Sequence, residues 1–404
     1  MAPVPGLVSS IAQCCRVESQ HCPPPRNAPD TTEPDLFPDA DPPPSPATKP
    51  HKGRGAPTNP DSRFSSWTRS VADDGWNQEA SAAPDTEVFV DSAKTVISHN
   101  DSPDLPFTQS LNPYRGCEHG CIYCYARPSH AYLGHSPGLD FETKLYYKPE
   151  AAKLLRKELG KPGYVCKPLA IGTNTDAWQP IERRLRITRG VLEVLHELKH
   201  PTMLITKSSL VERDIDLLAA MAREQLVHAA ISLTTLDGEL ARRLEPRAAA
   251  PHARVETIRK LSAAGIPVTV MVSPVIPGLT DHELEKLLVT AREAGAASAS
   301  YSVLRLPREL HALFERWLAW QAPEKAARVM TILYDMRGGR SNAGNDPNIE
   351  NRMHGLGHFA DLLAQRFALH VRRLGFPGLP TLDCSRFLSP GRGSPCNDQQ
   401  LGLF

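Results

Sequence analysis

The sequence predicts an α/β protein organised around a parallel β-sheet. From about residue 111, short apolar runs rich in β-branched residues alternate with segments whose apolar residues recur at helical spacing. The alternation gives about six β/α units. Repetition of this kind implies right-handed crossovers between parallel strands, in either a doubly wound or a barrel-like arrangement.

The strands and helices of this repeat are predicted from local patterns. Strands are predicted at residues 110–114, 169–172, 202–206, 229–234, 268–275 and 299–304. Helices are predicted at residues 189–198, 212–223, 255–264 and 282–293. The last helix is preceded by Thr280 and Glu283, which have the spacing of a capping box.

Composition divides the chain into five segments. Thirteen of the 38 prolines lie in residues 1–50, which are expected to form a disordered arm because they have too little apolar surface to offset ordering entropy. Residues 51–109 contain a strand-like stretch at 87–90 and are expected to wrap the core. The β/α core spans 110–308, a cap with helices at 309–320, 325–336 and 359–374 spans 309–375, and a flexible tail rich in Pro and Gly spans 376–404.

Charge and hydropathy restrict the class of protein. The 404 residues carry a formal net charge of +1, so no overall field attracts nucleic acid or an anionic membrane. No apolar run approaches the roughly 18 residues of a membrane-spanning helix, and the N-terminus lacks the pattern of a secretory signal. We therefore expect no membrane association and a cytoplasmic location, where thiols stay reduced and clustered cysteines indicate a metal or catalytic site.

The sharpest motif lies at residues 112–125, with the sequence NPYRGCEHGCIYCY. Its thiols, Cys117, Cys121 and Cys124, have the spacing CxxxCxxC, and thiolates are the preferred ligands of iron–sulfur clusters. Three ligands leave one iron of a cubane open. Two alternatives remain: a zinc site with His119 or His130 as fourth ligand, and cysteines that bind no metal.

Six blocks of sequence carry a family resemblance. They are NPYRGCEHGCIYCYARPSHAYLG, SPGLDFETK, TNTDAWQPIERRLRITR, ITKSSLVERDIDLL, SLTTLDGELARRLEPRAA and VSPVIPGLTD. Between about Lys52 and Gly375 the chain resembles the radical S-adenosylmethionine (radical SAM) superfamily, in its spore-photoproduct-lyase-like branch, and within that branch a large bacterial group of undefined function.

The resemblance implies a fold and cofactors. The fold is a partial (β/α)6 barrel with an N-terminal extension and a C-terminal helical cap. The cofactors are a 4Fe–4S cluster and S-adenosyl-L-methionine (SAM), which is cleaved reductively to a 5′-deoxyadenosyl radical. The electron would come from a one-electron donor such as flavodoxin or ferredoxin.

The resemblance assigns Tyr123, residues 173–176 and Lys207 to SAM at the carboxyl ends of the strands, and the alternation of Ser232 and Thr234 along one strand and the position of Arg254 at the start of a helix add three more candidates. These residues are Tyr123, Thr173, Asn174, Thr175, Asp176, Lys207, Ser232, Thr234 and Arg254. Tyr123 is placed near the adenine, the loop ending at Asp176 near the amino group, and Lys207 or Arg254 near the carboxylate. The alternative for Tyr123 is packing beside the cluster, for the loop a turn capped by Asp176, and for Lys207 and Arg254 ordinary solvated charges.

Three further features remain open. The run from Ser273 to Gly278 could flank the adenine, and Glu245 with Arg247 could face substrate or form an ordinary ion pair. Spore photoproduct lyase uses a separate cysteine as hydrogen donor, and Cys166, Cys384 and Cys396 are the candidates here.

Three function classes follow. The leading hypothesis is an enzyme that acts on a nucleic acid or nucleotide lesion, by analogy with the branch. The alternatives are a radical SAM enzyme with a small-molecule, RNA or protein substrate, and a non-catalytic metal-binding interaction protein.

Two features favour DNA. The cap region contains arginines able to contact phosphates if they share a face. They are Arg305, Arg308, Arg337, Arg340, Arg352, Arg372 and Arg373. The last five residues, Gln400-Leu401-Gly402-Leu403-Phe404, resemble the peptide by which bacterial polymerases and repair proteins dock on the DNA sliding clamp.

Overall fold

A computed structural model describes residues 51–64, 84–339 and 351–390 of the chain. The predicted arm at 1–50, Cys396, and the clamp-like peptide ending at Phe404 lie outside the described residues. Among the described helices, none is long and apolar enough to cross a membrane.

Ten strands are described. They are β1 (Glu87–Val90), β2 (Ile97–His99), β3 (Gln109–Leu111), β4 (Tyr114–Arg115), β5 (Lys144–Tyr147), β6 (Leu169–Ile171), β7 (Thr202–Thr206), β8 (Val227–Ser232), β9 (Val268–Val275) and β10 (Ser298–Val303).

Eleven α-helices are described as well. They are α1 (Asp140–Thr143), α2 (Ala151–Leu159), α3 (Glu182–Leu185), α4 (Ile187–Glu197), α5 (Ile215–Arg223), α6 (Gly238–Leu244), α7 (Pro251–Ala263), α8 (Leu284–Glu293), α9 (Leu310–Gln321), α10 (Pro323–Asp335) and α11 (Gly357–Leu374). Short 3-10 helices lie at Arg127–Leu133, Ser209–Asp214, Asp281–Glu283 and Cys384–Arg386.

The main sheet has seven strands in the order β10-β9-β8-β7-β6-β3-β2. Every neighbouring pair from β3 to β10 is parallel, and β2 pairs with β3 in the antiparallel sense at the edge. Six parallel strands in chain order, with β10 unpaired to β3, make the open (β/α)6 arrangement of a partial barrel. The predicted α/β fold is therefore confirmed, and all the carboxyl ends of the parallel strands meet at one edge.

The core follows from the sequence period of the strands. In β9, Val268, Val270 and Val272 are at most 1% exposed, while the residues between them are partly exposed. Side chains on successive strand residues point to opposite faces, so this alternation places one face in the apolar interior. Burial of each such valine stabilises the fold by roughly 1.5–3 kcal/mol.

The capping box predicted at Thr280 and Glu283 is wrong. The Thr280 hydroxyl accepts from the backbone N–H of Ile276 (2.9 Å) and not from the start of the helix. The Glu283 carboxylate instead accepts from the Thr235 hydroxyl (2.7 Å) and the Leu236 N–H (2.8 Å), after β8. Tertiary donors thus replace the local ones, and α8 begins after a 3-10 turn.

Residues 376–390, predicted as part of a flexible tail, are bonded to the body of the protein. The N–H groups of Gly378, Asp383 and Leu388 donate to the carbonyls of residues 297, 225 and 198 at 2.8, 3.0 and 2.9 Å. These carbonyls precede β10, β8 and β7, so residues 376–390 line the amino-terminal edge of the sheet. Composition suggested a free tail because hydrogen bonds to loop carbonyls leave no periodic pattern.

Candidate active site

The three motif cysteines lie in the loop that follows β4. The Cys117 N–H donates to the Phe141 carbonyl (2.9 Å), and the Cys124 N–H donates to the Cys121 carbonyl (3.2 Å), which folds the loop around the thiols. Gly120 lies between the first two cysteines with φ of +68°, a conformation that glycine adopts at little cost. Cys117 and Cys121 are buried, and Cys124 is partly buried.

A buried ion pair supports this loop. Arg127 and Glu142 are fully buried and bonded to each other. The Arg127 guanidinium also donates to the carbonyls of Cys121 (2.9 Å), Gly120 (3.1 Å) and Gly138 (2.8 Å). One side chain therefore satisfies several carbonyls of the cysteine loop, whose irregular backbone has no strand partner to do so.

The N-terminal extension completes the support. The N–H groups of Gly55 and Ala56 donate to the Glu142 carboxylate at 2.9 and 2.8 Å, and Arg54 donates to the Glu142 carbonyl (3.2 Å). A Cβ atom on Gly55 would lie 1.7 Å from the Gly120 carbonyl oxygen. Residues 54–56 are thus part of the cysteine site, because only a glycine admits so close an approach of two backbones.

The three thiols lie close enough to act on one another. Each of the three cysteines lies within electrostatic range of the other two. Thiolates are the preferred ligands of iron–sulfur clusters, in which each ligand holds a separate iron of one core.

His119, the alternative zinc ligand, instead contacts Asp176. Its Nδ1 lies 3.4 Å from the Asp176 carboxylate, which also accepts from the Thr206 hydroxyl (2.8 Å) and the Lys207 N–H (2.8 Å). Burial opposes the charge of Asp176, yet His119 and these donors lower the pKa of its carboxyl to about 2. The carboxylate therefore joins the ends of β6 and β7 to the cysteine loop.

A second buried network joins Tyr123 to the end of β8. The Tyr123 hydroxyl and the Thr234 hydroxyl (2.8 Å) both donate to the Glu245 carboxylate, which also pairs with Arg254. Burial opposes the charge of Glu245, but Arg254 and Lys207 lower the pKa of its carboxyl to about 2. Burial and the neighbouring Glu245 raise the pKa of Tyr123 well above its ordinary value, so the phenol stays protonated and donates.

Arg254 is committed to the protein. Its guanidinium donates to the carbonyls of Ala249 (2.7 Å) and Ser232 (3.1 Å) as well as to Glu245. Lys207 differs, because among the described residues its ammonium has no ion-pair or hydrogen-bond partner. It lies 5.8 Å from the centre of the Tyr123 ring. Of the two predicted cations, Lys207 is the one able to accept an anionic ligand.

The loop after β6 is held by a residue that the sequence did not single out. The Asn112 amide oxygen accepts from the N–H groups of Asn174 (2.9 Å) and Thr175 (3.3 Å), and its nitrogen lies 3.5 Å from the Thr173 hydroxyl. The Thr175 hydroxyl donates to the Tyr114 carbonyl (2.8 Å). Asn174 remains exposed at the carboxyl edge of the sheet.

The structure thus brings the predicted SAM residues together at one edge of the sheet. They come from the ends of β6, β7 and β8 and from α7, around the cysteine loop. Ser232 is buried with its carbonyl bonded to Arg254, and Ser273, at the start of the predicted adenine-flanking run, accepts from the Thr234 hydroxyl through its carbonyl (3.3 Å).

The residues that sequence reasoning missed are mostly buried charges. Asn112, Arg127 and Glu142 lie within the sequence blocks that carry the family resemblance, yet charged side chains near a motif are usually solvated, which hid the role of Arg127 and Glu142. Glu245 was paired in sequence with Arg247, but Arg247 binds Glu118 (3.0 Å).

The hydrogen-donor role considered for Cys166 and Cys384 does not fit their positions. Cys166 precedes β6, and Cys384 belongs to the segment at the amino-terminal edge of the sheet. Six residues of extended chain separate Cys166 from Gly172, or about 20 Å at the rise of a strand. Both thiols therefore lie at the edge opposite the cysteine loop.

Comparison with known proteins identifies the family. The model of the radical SAM superfamily matches residues 111–291. An uncharacterised protein of Mycobacterium tuberculosis is 40% identical over 230 residues, which are 56% of this chain and 68% of that protein. The radical SAM Nalpha-GlyT isomerase of Pseudomonas phage M6 is 27% identical over 173 residues, 42% of this chain and 34% of that protein.

A solved structure of spore photoproduct lyase complexed with dinucleoside spore photoproduct covers 72% of this chain and 80% of its own, at 14% identity and a TM-score of 0.47. The matched region of the family model begins at the end of β3 and runs to α8, so it contains the cysteine loop and five of the six β/α units. The chain belongs to the radical SAM superfamily, whose members use a 4Fe–4S cluster and SAM.

Proposed function

We propose that Cys117, Cys121 and Cys124 hold the cluster and that SAM binds over it at the carboxyl edge of the sheet. A cluster held by these thiols would supply one electron to the sulfonium of SAM. The S–C5′ bond would then break to give methionine and a 5′-deoxyadenosyl radical, which would take a hydrogen atom from the substrate. The observation that carries the proposal is the convergence of three thiols with Lys207, Tyr123 and the loop that Asn112 holds. These side chains come from separate parts of the sequence and meet at one edge of the sheet.

Lys207 is the proposed anchor of the SAM carboxylate. Among the described residues its ammonium makes no hydrogen bond and no ion pair, and a cation at a partly buried site is favoured by a ligand that brings an anion to it. Arg254, the other sequence candidate, is proposed to act indirectly. It holds Glu245, which fixes the Tyr123 hydroxyl, so the phenol ring keeps its orientation beside the adenine.

The loop from Thr173 to Asp176 is proposed to face the SAM amino group. Asp176 itself is already surrounded by donors, so its part is to position the loop and the Lys207 backbone. Thr173 and Asn174, which are less buried, are the residues left to contact the ligand. Asn112 positions both through its amide.

The substrate proposed is a nucleic acid or nucleotide lesion. The support is a surface of arginines and exposed aromatic rings beside the cysteine loop. A flavodoxin or ferredoxin is the proposed electron donor, and the peptide ending at Phe404 is the proposed contact with the sliding clamp.

Anaerobic reconstitution with iron and sulfide tests the cofactor assignment. Reduced protein should bind close to four irons and convert SAM to 5′-deoxyadenosine, and alanine at any of the three cysteines should abolish both. Lys207→Met should keep its iron but raise the SAM concentration needed for half-maximal cleavage by at least roughly tenfold, the cost of about 1.4 kcal/mol of lost ion pairing. Lys153→Met, at a lysine 82% exposed on α2, is the matched control. Wild-type SAM dependence in Lys207→Met would contradict the anchor.

A further inference from the structure

Two chain segments run side by side beside the cysteine loop, and both carry residues suited to a polyanion. One follows Cys124 and continues through the 3-10 helix Arg127–Leu133, and the other follows β10. At one end of the pair, the Arg305 guanidinium carbon lies 5.9 Å from the centre of the Tyr125 ring. At the other end, the hydroxyl of Tyr132 contacts the guanidinium groups of Arg63 and Arg308.

Aromatic rings alternate with arginines along this surface. Tyr125 is 51% exposed, Tyr132 69% and Phe64 57%. Arg63 lies 4.7 Å from the Phe64 ring centre and 5.1 Å from that of Tyr132, and the two rings are 5.3 Å apart. We call this set the rim strip; it consists of Arg63, Phe64, Tyr125, Tyr132, Arg305 and Arg308.

Arg305 lacks a counter-ion within the part of the chain that the structure describes. The Asp104 carboxylate, which acts on Arg305 electrostatically, is held by two hydrogen bonds from Arg352, one of them 2.7 Å long. Burial and the Arg352 guanidinium lower the pKa of Arg305 to about 10, which still leaves it charged at neutral pH. A partly buried cation beside like charges is unfavourable unless an anion binds there.

The combination favours single-stranded nucleic acid over other anions. A carboxylate or free phosphate would satisfy Arg305 but would leave three exposed rings without a ligand. Bases stack on aromatic rings while guanidinium groups contact the phosphates between them, which is how proteins bind single strands. The 3-10 helix begins at Arg127, and the five residue steps from Arg127 to Tyr132 span roughly 10 Å at the rise of such a helix, enough for more than one nucleotide.

We propose that the rim strip binds a single-stranded nucleic acid, or a nucleotide extruded from a duplex, with one base stacked on Tyr125 and the adjacent phosphate on Arg305. Because Tyr125 directly follows Cys124, that base lies beside the cluster. The inference rests on the nucleic-acid substrate proposed above and adds the subsite, the strandedness and the residues that hold it.

The other arginines of the cap region take no part in this surface. Arg352 is paired with Asp104, and Arg337 donates to the carbonyls of residues 304, 351 and 352. Arg372 and Arg373 end α11, close to Gly378, whose N–H binds a carbonyl before β10, so they lie towards the amino-terminal edge. The predicted shared face of seven arginines therefore reduces to Arg305 and Arg308, with Arg340 outside the described residues.

Fluorescence anisotropy with the reconstituted full-length protein tests the proposal. The probes are a labelled oligothymidylate of about fifteen nucleotides, near the upper site size for a single-strand binder, and an abasic phosphodiester strand of the same length. We expect the oligothymidylate to bind at least roughly fivefold more tightly than the abasic strand, the contribution of about one stacked base. A duplex of the same sequence should bind more weakly than the single strand, because extruding a base costs free energy.

Variants assign the contacts. Tyr125→Phe keeps the ring and should bind like the wild type, whereas Tyr125→Leu should lose roughly fivefold or more. Arg305→Gln should weaken both strands and lower the slope of log affinity against log salt by about 0.7, the value for one phosphate of a single strand. Arg259→Gln, at an exposed ion pair on α7, is the control and should change neither affinity nor slope.

The proposal is overturned if the abasic strand binds as tightly as the oligothymidylate, or if Arg305→Gln leaves the salt slope unchanged. Iron content is measured for every variant. If Tyr125→Leu loses its cluster, the proposal is still tested by the salt slope of Arg305→Gln and by the comparison of the oligothymidylate with the abasic strand. Cleavage of SAM in the absence of nucleic acid is measured in parallel: intact cleavage with failed binding refutes the rim strip alone, whereas failed cleavage in the wild type refutes the proposed function.

Discussion

Replacing Glu142 by glutamine should destabilise the protein and empty the cysteine site. The carboxylate is fully buried, pairs with Arg127, and accepts from two N–H groups of the N-terminal extension. Glutamine has nearly the same shape but no charge, and one side of its amide is a donor facing other donors. The substitution therefore leaves the Arg127 guanidinium as a buried charge without its counter-ion.

The magnitude follows from that buried charge. Removing one partner of a buried ion pair costs about 3–5 kcal/mol. A chain of 404 residues has an unfolding entropy of about 0.8 kcal/mol per degree, so the melting temperature should fall by about 4–6 °C. The cysteine loop loses its support at the same time, because the Arg127 guanidinium reorients away from the carbonyls of Gly120 and Cys121.

Calorimetry of the iron-free protein measures the stability, and iron per chain after reconstitution measures the site. Glu256→Gln is the matched control, since its pair with Arg259 is about half exposed on both sides and contributes at most about 1 kcal/mol. A melting temperature for Glu142→Gln within about 1 °C of the control, together with full iron loading, would refute the reasoning, because the pair would then be neither stabilising nor required by the loop.

Three further outcomes are expected. Gly55→Ala should abolish iron loading, since its Cβ would lie 1.7 Å from the Gly120 carbonyl oxygen. Gly238→Ala is the control and should load normally, because its Cβ would have no heavy atom within 4 Å. Equal iron content in both variants would contradict the close approach of the two backbones. Burial lowers the pKa of His200 from 6.5 to about 4, so between those pH values only the unfolded chain binds this proton and stability falls as pH drops. The loss of stability at pH 5 is about 2 kcal/mol. Urea unfolding at pH 7 and at pH 5 should therefore show a smaller pH effect in His200→Gln than in the wild type. A fluorescent peptide of residues 395–404 should bind the bacterial sliding clamp with a Kd in the micromolar range. Leu403→Ala and Phe404→Ala should abolish binding, whereas the control Asn397→Ala should not. Absence of binding at about 100 µM would rule out the docking peptide.

The parallel sheet was predictable because its signal is local and repeated. Each of the predicted strands at 169–172, 202–206 and 268–275 matches an observed strand to within one residue, since a buried parallel strand needs a continuous apolar run. The first strand was extended too far, to residue 114. Asn112 ends it by turning its amide to the loop after β6, and Tyr114 pairs with β5 in a separate three-stranded sheet of the order β1-β5-β4.

The contacts beneath the site were not predictable from one sequence. Glu142 binds residues 86 and 87 positions earlier in the chain, and nothing in the local pattern around Asp140 or Gly55 reports such a pairing. The cysteine spacing predicted the cluster because the three ligands are close in sequence. The roles of Arg127 and Glu245 depend on which distant groups burial brings to them, and that is a property of the folded chain.

The N-terminal extension joins the cofactor site to the rim strip. Its Gly55 and Ala56 bind the carboxylate that supports the cysteine loop, and Arg63, only seven residues beyond Ala56, stacks on Tyr132 and pairs with Glu309 (3.0 Å) at the start of α9. A displacement of this short segment would therefore act on both surfaces, because Arg63 lies only eight residues after Gly55. The sequence boundary drawn at residue 110 does not correspond to a boundary in these contacts. A polypeptide that begins at residue 110 would keep the six parallel strands but would lack two of the donors to Glu142 and the arginine that orders Tyr132, so the catalytic unit extends back at least to Arg54.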